Sequence, residues 1–398
     1  MDKIKILIEC ETYVQTAIET YDAFKAFEKF GEIEIKIKLT SKVNKSDIMW
    51  CDILYSIRSE NLLSTYFAKM CKKNGRLHIV LLDDYLFKQE RKDFFMRQRQ
   101  KELGKILNIT DVLFSPSQIL IDRIKKDYKV TKTVQADTAV ESVNIKKTQI
   151  LFNKDVKRIV YYSNDGSNNY FKMVMMPILD KIVNQQDFKL EIHCIGMQKI
   201  DSIDEERLNI KYVPHLSLKD FRTYLETSGF CIGLAPLVRN DGFSEYKYFN
   251  KFIEFSMAGI PGIYSNAYPY ISIIEDGENG ILCDNEKDWI ENILLLLEKP
   301  NLAVKIANKA QEQLKTEFSI EEIYKSIKKQ LPEFVSYRAP QKVIRNFKVC
   351  KFKYYVFCFF EKINSVYRVI KKKGIKGLVS RTRQYFILKN QTQRKNWV

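Results

Sequence analysis

Apolar residues fall into short runs separated by longer stretches with a helical repeat. Ile4-Lys5-Ile6-Leu7-Ile8-Glu9 is a run of the kind a buried strand shows. Residues 12–30 place Val14, Ile18, Tyr21, Phe24 and Phe27 three or four apart, the repeat of an amphipathic helix. Ile33–Leu39 alternates strictly and reads as a strand. Cys51–Tyr55 predicts a strand ending near Arg58, followed by a helix over about 60–73. A strand Leu77–Leu82 ends on Asp83-Asp84, and a strand Asp111–Ser115 leads into a helix near 117–127. The second half repeats the style. Strand Arg158–Tyr162 opens onto the polar loop Ser163–Asn169 and a helix at about 170–184; strands Leu190–Ile195, Ile210–Tyr212 and Phe230–Leu234 follow, with helices at about 287–298 and 301–316. Strands alternating with helices predict mainly parallel, doubly wound sheets. The expected fold class is α/β, with two Rossmann-like domains over 1–150 and 151–335.

The stretch 249–283, FNKFIEFSMAGIPGIYSNAYPYISIIEDGENGILC, carries the chemistry. Lys251 and Glu254 lie three apart and share one helix face. Gly259-Ile260-Pro261 stops that helix, and Gly262–Ser265 reads as a strand. A polar loop, an Ile-rich stretch read as helical, and the turn Asp276–Gly280 follow. In such a unit the loops at strand ends lie near helix N-termini, where backbone N–H groups receive phosphates. An isolated basic–acidic pair at this spacing is usually a surface ion pair worth little. The ordered turn, strand and turn after it favour a functional reading. Glu254 would accept hydrogen bonds from ribose hydroxyls, while Lys251 and Lys247 offset a diphosphate. A departing nucleoside diphosphate gains charge in the transition state, so cations placed there favour its departure.

With Ile232–Leu237 (IGLAPL), Phe243, Lys247, Lys251-Phe252-Ile253-Glu254-Phe255, Gly259-Ile260-Pro261, Ser265 and Asp276-Gly277, the region 230–300 resembles a subgroup of family-4 glycosyltransferases of the GT-B class. That resemblance implies two Rossmann-like domains facing a cleft, the first holding the acceptor and the second a nucleotide-sugar donor. It implies transfer with retention of anomeric configuration, no cofactor beyond the donor itself, and no bound metal. It assigns Lys251 and Glu254 to catalysis. It assigns Lys247, Gly259, Pro261, Ser265 and Asn266, with Ser163, Asn164 and Gly166 of the polar loop, to the donor. One position departs from the family's acid pair: Tyr246, not an acid, stands eight before Glu254. Asp83 and Asp84 at a strand end could hold a metal or cap a helix. The resemblance places them, with Arg58, on the acceptor side.

Composition narrows the rest. The net charge of +17 is local: residues 341–398 hold sixteen Lys and Arg and one acid, so +15, leaving 50 bases against 48 acids elsewhere. This tail mixes Phe, Tyr and Val with Lys, which suits an amphipathic helix on an anionic membrane surface better than phosphate contacts alone, so nucleic acid is the weaker expectation. The expected acceptor is a polysaccharide or lipid-linked glycan, and the expected place is the cytoplasm, peripheral on the inner face of the cell membrane. A non-catalytic GT-B homologue serving as a scaffold in polysaccharide assembly is the competing reading. Eight scattered Cys without C-x-x-C pairs read as buried thiols. Of the three His, His78 and His193 sit in apolar strands and read as packed, and His215 lies on a loop. There is no G-x-G-x-x-G, no Walker A pattern and no run long enough to span a bilayer, which argues against dehydrogenase, P-loop and integral membrane classes.

Overall fold

The structure is a computed structural model that describes residues 2–87, 93–147, 156–163, 171–184, 188–197, 199, 208–237, 244–340 and 351–371. The chain forms two compact units: 1–139 with 320–398, and 140–319. Each is built on a six-stranded sheet in which every pairing is parallel.

The first unit holds β1 (Ile4–Cys10), β2 (Ile33–Leu39), β3 (Ile53–Ile57), β4 (Leu77–Leu81), β5 (Val112–Ser115) and β6 (Lys132–Gln135), in the order β2-β1-β3-β4-β5-β6. The sequence patterns match the places. β1 is central and buried on both faces, whereas the alternating β2 lies at the edge and buries Ile33 and Ile35 while presenting lysines outward. The second unit holds β7 (Val156–Tyr162), β8 (Lys189–Ile195), β9 (Ile210–Val213), β10 (Ile232–Ala235), β11 (Gly262–Ser265) and β12 (Ile281–Cys283), in the order β12-β11-β10-β7-β8-β9. Here the strand order reverses between β7 and β10, and in the first unit between β1 and β3. Ligands of open parallel sheets bind outside the strand carboxyl ends at such reversals.

The units divide at 139/140 rather than at 150/151, and the chain returns to the first unit at 320 rather than ending the second at 335. The cause is the helix Ile320–Gln330, whose apolar face of Ile320, Ile323, Tyr324 and Ile327 packs with the core around Phe24 and Phe27. Tyr324 meets Phe27 with ring centroids 4.9 Å apart, and fully buried Phe334 meets Phe24 at 5.4 Å. The helix Phe94–Leu107, the strand β6 and the helix Leu218–Thr227 also lie outside the sequence expectations. The Ile-rich stretch is not an α-helix. It makes one 3-10 turn, Tyr270–Ser272, because Asn279 binds the Ile273 carbonyl (2.9 Å) and accepts from the Glu275 N–H (2.8 Å), holding the chain in a turn. The helix expected from 170 opens with a π-helical turn, Phe171–Met175, ahead of Pro177, which lacks the N–H a regular ladder needs. In the tail, 352–371 is helical, and 341–350 and 372–398 lie outside the described residues.

The first core contains an ionisable group. Glu9, on β1, is fully buried; Ser59 donates to it at 2.9 Å and Thr40 donates to its other oxygen. Burial outweighs these hydroxyls and raises its pKa above the usual 4.5. The folded protein therefore holds the Glu9 proton to higher pH than the unfolded chain does. The resulting stability is complete below the ordinary carboxyl range and is lost as pH rises through the folded value. Glu9→Gln keeps hydrogen-bonding capacity without ionising. Its urea midpoint should equal or exceed that of the parent at pH 7, with the advantage gone by about pH 4. Parallel pH profiles for the two proteins would count against a raised Glu9.

Candidate functional site

Lys251 and Glu254 lie on the helix Asn250–Ala258, which follows β10 and precedes β11. Its end is set by Gly259, whose φ of 71° lets its N–H reach the Ser256 carbonyl and the Ile260 N–H reach the Phe255 carbonyl, a left-handed cap. Pro261 then enters β11 and accepts from the Gly233 N–H of β10 at 3.0 Å. This turn fixes where the helix sits over the sheet.

Lys251 reaches the carboxyl end of β7. Its Nζ lies 4.5 Å from the ring centroid of Tyr161 and 5.2 Å from that of Tyr162, within cation–π range. Tyr162 also meets Phe221 at 4.8 Å and Phe255 at 5.7 Å, so rings from β7, the helix Leu218–Thr227 and the helix Asn250–Ala258 converge there. Glu254 is buried, with a side chain 2% exposed, and both its oxygens take one guanidinium: Arg222 Nε donates to Oε2 at 3.0 Å and Nη2 to Oε1 at 2.7 Å. Arg222, 24% exposed, is the more accessible member of the pair. The sequence pattern holds no sign of Arg222, which lies about thirty residues upstream of its partner and in no motif; its only mark is its place beside the buried Phe221.

Gly259 and Pro261, expected at the donor, precede β11 and so lie at the amino ends of the strands, away from Lys251, because the helix runs back across the sheet before β11 begins. The other described donor candidates lie near the carboxyl ends. Ser265 closes β11, and its Oγ accepts the Leu237 N–H at 2.8 Å, joining the ends of β10 and β11. Asn266 donates to Asp284 at 2.8 Å. Lys247 precedes the helix, half-buried, with its N–H on the Ser244 carbonyl at 3.2 Å. Ser163 follows β7, and its N–H binds the Ile195 carbonyl at 3.1 Å. Gly196 and His215 flank it: a Cβ on Gly196 (φ +77°) would lie 2.5 Å from the Ser163 carbonyl oxygen and 2.9 Å from the His215 ring. Burial lowers the His215 pKa. Asn164, Gly166 and Phe243 lie outside the described residues. Asp276 and Asn279 serve the turn itself, Asp276 accepting the Leu282 N–H at 2.7 Å.

A second group lies on the first unit's sheet edge. Arg58 follows β3 with a left-handed φ of 47°, rare for a residue with a side chain and a mark of local strain. Its guanidinium contacts Asp83 at 3.3 Å and Asp84 at 3.2 Å. Asp83 Oδ2 also accepts from Thr16 at 2.5 Å, while its buried Oδ1 has no hydrogen-bond partner among the described residues. A cation of the protein thus already balances the two acids. His78 is buried on β4 with a pKa lowered to about 3, and His193 is held through both ring nitrogens by Glu191 and Tyr224; both are packed groups. Among the described residues seven cysteines are unpaired and six of them buried; burial pushes the Cys51 thiol up to about 12.

Removing one member of a buried ion pair leaves the other uncompensated. Arg222→Ala should cost about 3–5 kcal/mol in urea unfolding, and the paired replacement Arg222→Met with Glu254→Leu should recover most of that loss. A loss below about 1 kcal/mol for Arg222→Ala would show that Glu254 does not depend on it.

No protein-family model and no curated protein sequence matches the chain. Solved structures do. HepE of Anabaena, in complex with UDP and glucose, superposes with a TM-score of 0.58 at 12% identity, over 83% of this chain and 100% of HepE. An alpha-glucosyltransferase in complex with UDP gives 0.59 at 12% identity, over 84% and 100%. TarM of S. aureus gives 0.53 at 16% identity over 70% of this chain, which spans about half of TarM's length (54%). At these identities the likeness is one of fold, and the chain has the two-Rossmann GT-B fold of glycosyltransferases.

Proposed function

We propose that this protein is a glycosyltransferase that moves a sugar from a nucleotide-diphosphate donor, held by the second unit, to a polysaccharide or lipid-linked glycan. The observation that carries the reading is the arrangement at the carboxyl end of β7, beside the strand-order reversal: Lys251 lies over Tyr161 and Tyr162, and the next turn of the same helix holds the Arg222–Glu254 pair. A diphosphate needs cations that stay in place while charge builds on the leaving oxygen. The two tyrosine faces place the Lys251 ammonium at the carboxyl end of β7. Lys247 adds a second positive charge on the segment leading into the helix.

Glu254 is the group for the ribose. The two-point contact with Arg222 fixes its carboxylate plane, one helical turn from Lys251. Ser265 and Asn266, with the Ser163 backbone, border the same strand ends. HepE was solved with UDP bound, which makes a uridine donor the first to try. The acceptor reading rests on Asp83, whose buried Oδ1 can take a sugar hydroxyl, and on Arg58 and Asp84 beside it. Arg58 takes the place of charge that a divalent cation would have between the two acids, which favours hydroxyl binding over metal binding there. The donor is a co-substrate, and no further cofactor is proposed. Retention of configuration, the outcome the family resemblance implies, needs no carboxylate pair of the glycosidase kind. This fits a donor site whose buried acid is held by Arg222.

A thermal-shift panel of nucleotide sugars, with calorimetry on the best ligand, tests the reading. One donor should raise the melting temperature by mass action. Lys251→Ala should weaken that donor at least about tenfold while changing the melting temperature of the unliganded protein by less than about 3 °C. If no nucleotide sugar binds, the donor site is wrong. If one binds but is neither hydrolysed nor transferred, the chain is a non-catalytic homologue.

A further inference from the structure

Of the fifteen large apolar side chains exposed among the described residues, nine lie on the single helix 352–371. They are not scattered. Phe352, Phe359, Ile363, Val366 and Ile370 follow the three-and-four spacing that keeps side chains on one helix face, with the remaining four at its borders. Phe352 is 72% exposed and Phe359 60%.

The opposite face is already engaged. Tyr354 is buried against the group around Leu7, Val43 and Phe67 and donates to Glu11 at 3.1 Å. Phe357 meets Phe95 at 5.4 Å. Arg99 joins the helix to the sheet edge: its Nη1 contacts Glu11 at 2.6 Å, and its Nε and Nη2 contact Glu361 at 2.5 and 2.6 Å. Arg368 reaches Asp93 at 2.7 Å. The helix is therefore folded and docked with its apolar stripe outward, so the stripe is not a core face waiting for its own unit to cover it.

Charge decides what fits. Lys353 and Lys371 border the stripe on one side and Lys362 on the other, all exposed. Residues 341–398 carry +15 in a chain whose remainder carries +2. An apolar stripe edged by lysines matches a surface that is apolar within and anionic at its rim. No helix among the described residues is long and apolar enough to cross a membrane.

We propose that helix 352–371 is an interfacial anchor that lays its Phe352–Ile370 stripe into the headgroup layer of an anionic bilayer. Through Arg99 and Glu11 it holds the carboxyl-end edge of the first sheet close to the lipid. Cys10 pairs with Ile57 across β1 and β3, so Glu11 and Arg58 are neighbours on that edge. If the transferase reading is right, the edge carrying Arg58, Asp83 and Asp84 faces an acceptor whose glycan is attached to lipid. That last step alone rests on the proposed function.

The test is sedimentation of the full chain with vesicles of phosphatidylcholine mixed with phosphatidylglycerol, and of phosphatidylcholine alone, without any nucleotide sugar. The parent should bind the mixed vesicles and bind the neutral ones at least about tenfold more weakly. Phe359→Asp with Ile363→Asp, both exposed positions, should lose at least about tenfold in binding to the mixed vesicles with an unchanged melting temperature. Equal binding by parent and variant would overturn the proposal. So would a lipid-independent dimer in sedimentation velocity that the variant disperses, which would make the stripe a contact between copies. Preference for duplex DNA over the mixed vesicles would overturn it in favour of a phosphate-binding tail. Because no donor is present, loss of the transferase reading would leave the vesicle result standing.

Discussion

Parallel pairing is the constraint on which everything else depends. A parallel sheet gathers all its strand carboxyl ends on one edge, and a reversal of strand order leaves a place there where two loops diverge. Both sheets are parallel throughout their described pairings, and both have such a reversal. Lys251, Glu254, Ser163 and Ser265 come from segments up to about a hundred residues apart, yet the sheet delivers them to one edge. Glu11, Arg58 and Asp83 reach the corresponding edge of the first unit in the same way.

On those edges, arginines order the acids. Arg222 holds Glu254, Arg58 holds Asp83 and Asp84, and Arg99 holds Glu11 together with Glu361. Arg222 and Arg99 bind carboxylates through two parallel donors, which fixes orientation as well as charge, whereas Arg58 spans two acids with one nitrogen to each. A buried pair of this kind adds little net stability compared with apolar packing, but breaking one is strongly destabilising. These pairs are better understood as devices that set geometry: one for the buried acid Glu254, one for the carboxyl-end edge of the first sheet, one for a docked helix.

The fold was legible in the sequence because buried parallel strands leave apolar runs and helices leave a repeat of three and four. Most strands in the second half, and the helix–turn–strand order around Gly259, came out of that pattern. The helix Ile320–Gln330 shows the limit: its apolar face is plain in the sequence, but which core it covers depends on a surface near Phe24 and Phe27, about three hundred residues away. Of the candidate site, Lys251 and Glu254 stand out in the sequence by their spacing and by the turn and strand Gly259–Ser265 immediately downstream. Arg222 could not, since a guanidinium that meets its carboxylate only through tertiary packing leaves no local motif. The tail's charge was visible as composition, whereas the outward direction of its apolar face required knowing that Tyr354, Phe357 and Glu361 face the protein.

Hydrogen–deuterium exchange of the full chain, with and without the nucleotide sugar that the thermal-shift panel selects, tests the central claim most directly because it reports location. Donor-dependent protection should concentrate at the carboxyl ends of β7, β10 and β11 and over the helix Asn250–Ala258. Protection confined to the first unit, or to the tail, would contradict a donor site built on Lys251 and Glu254.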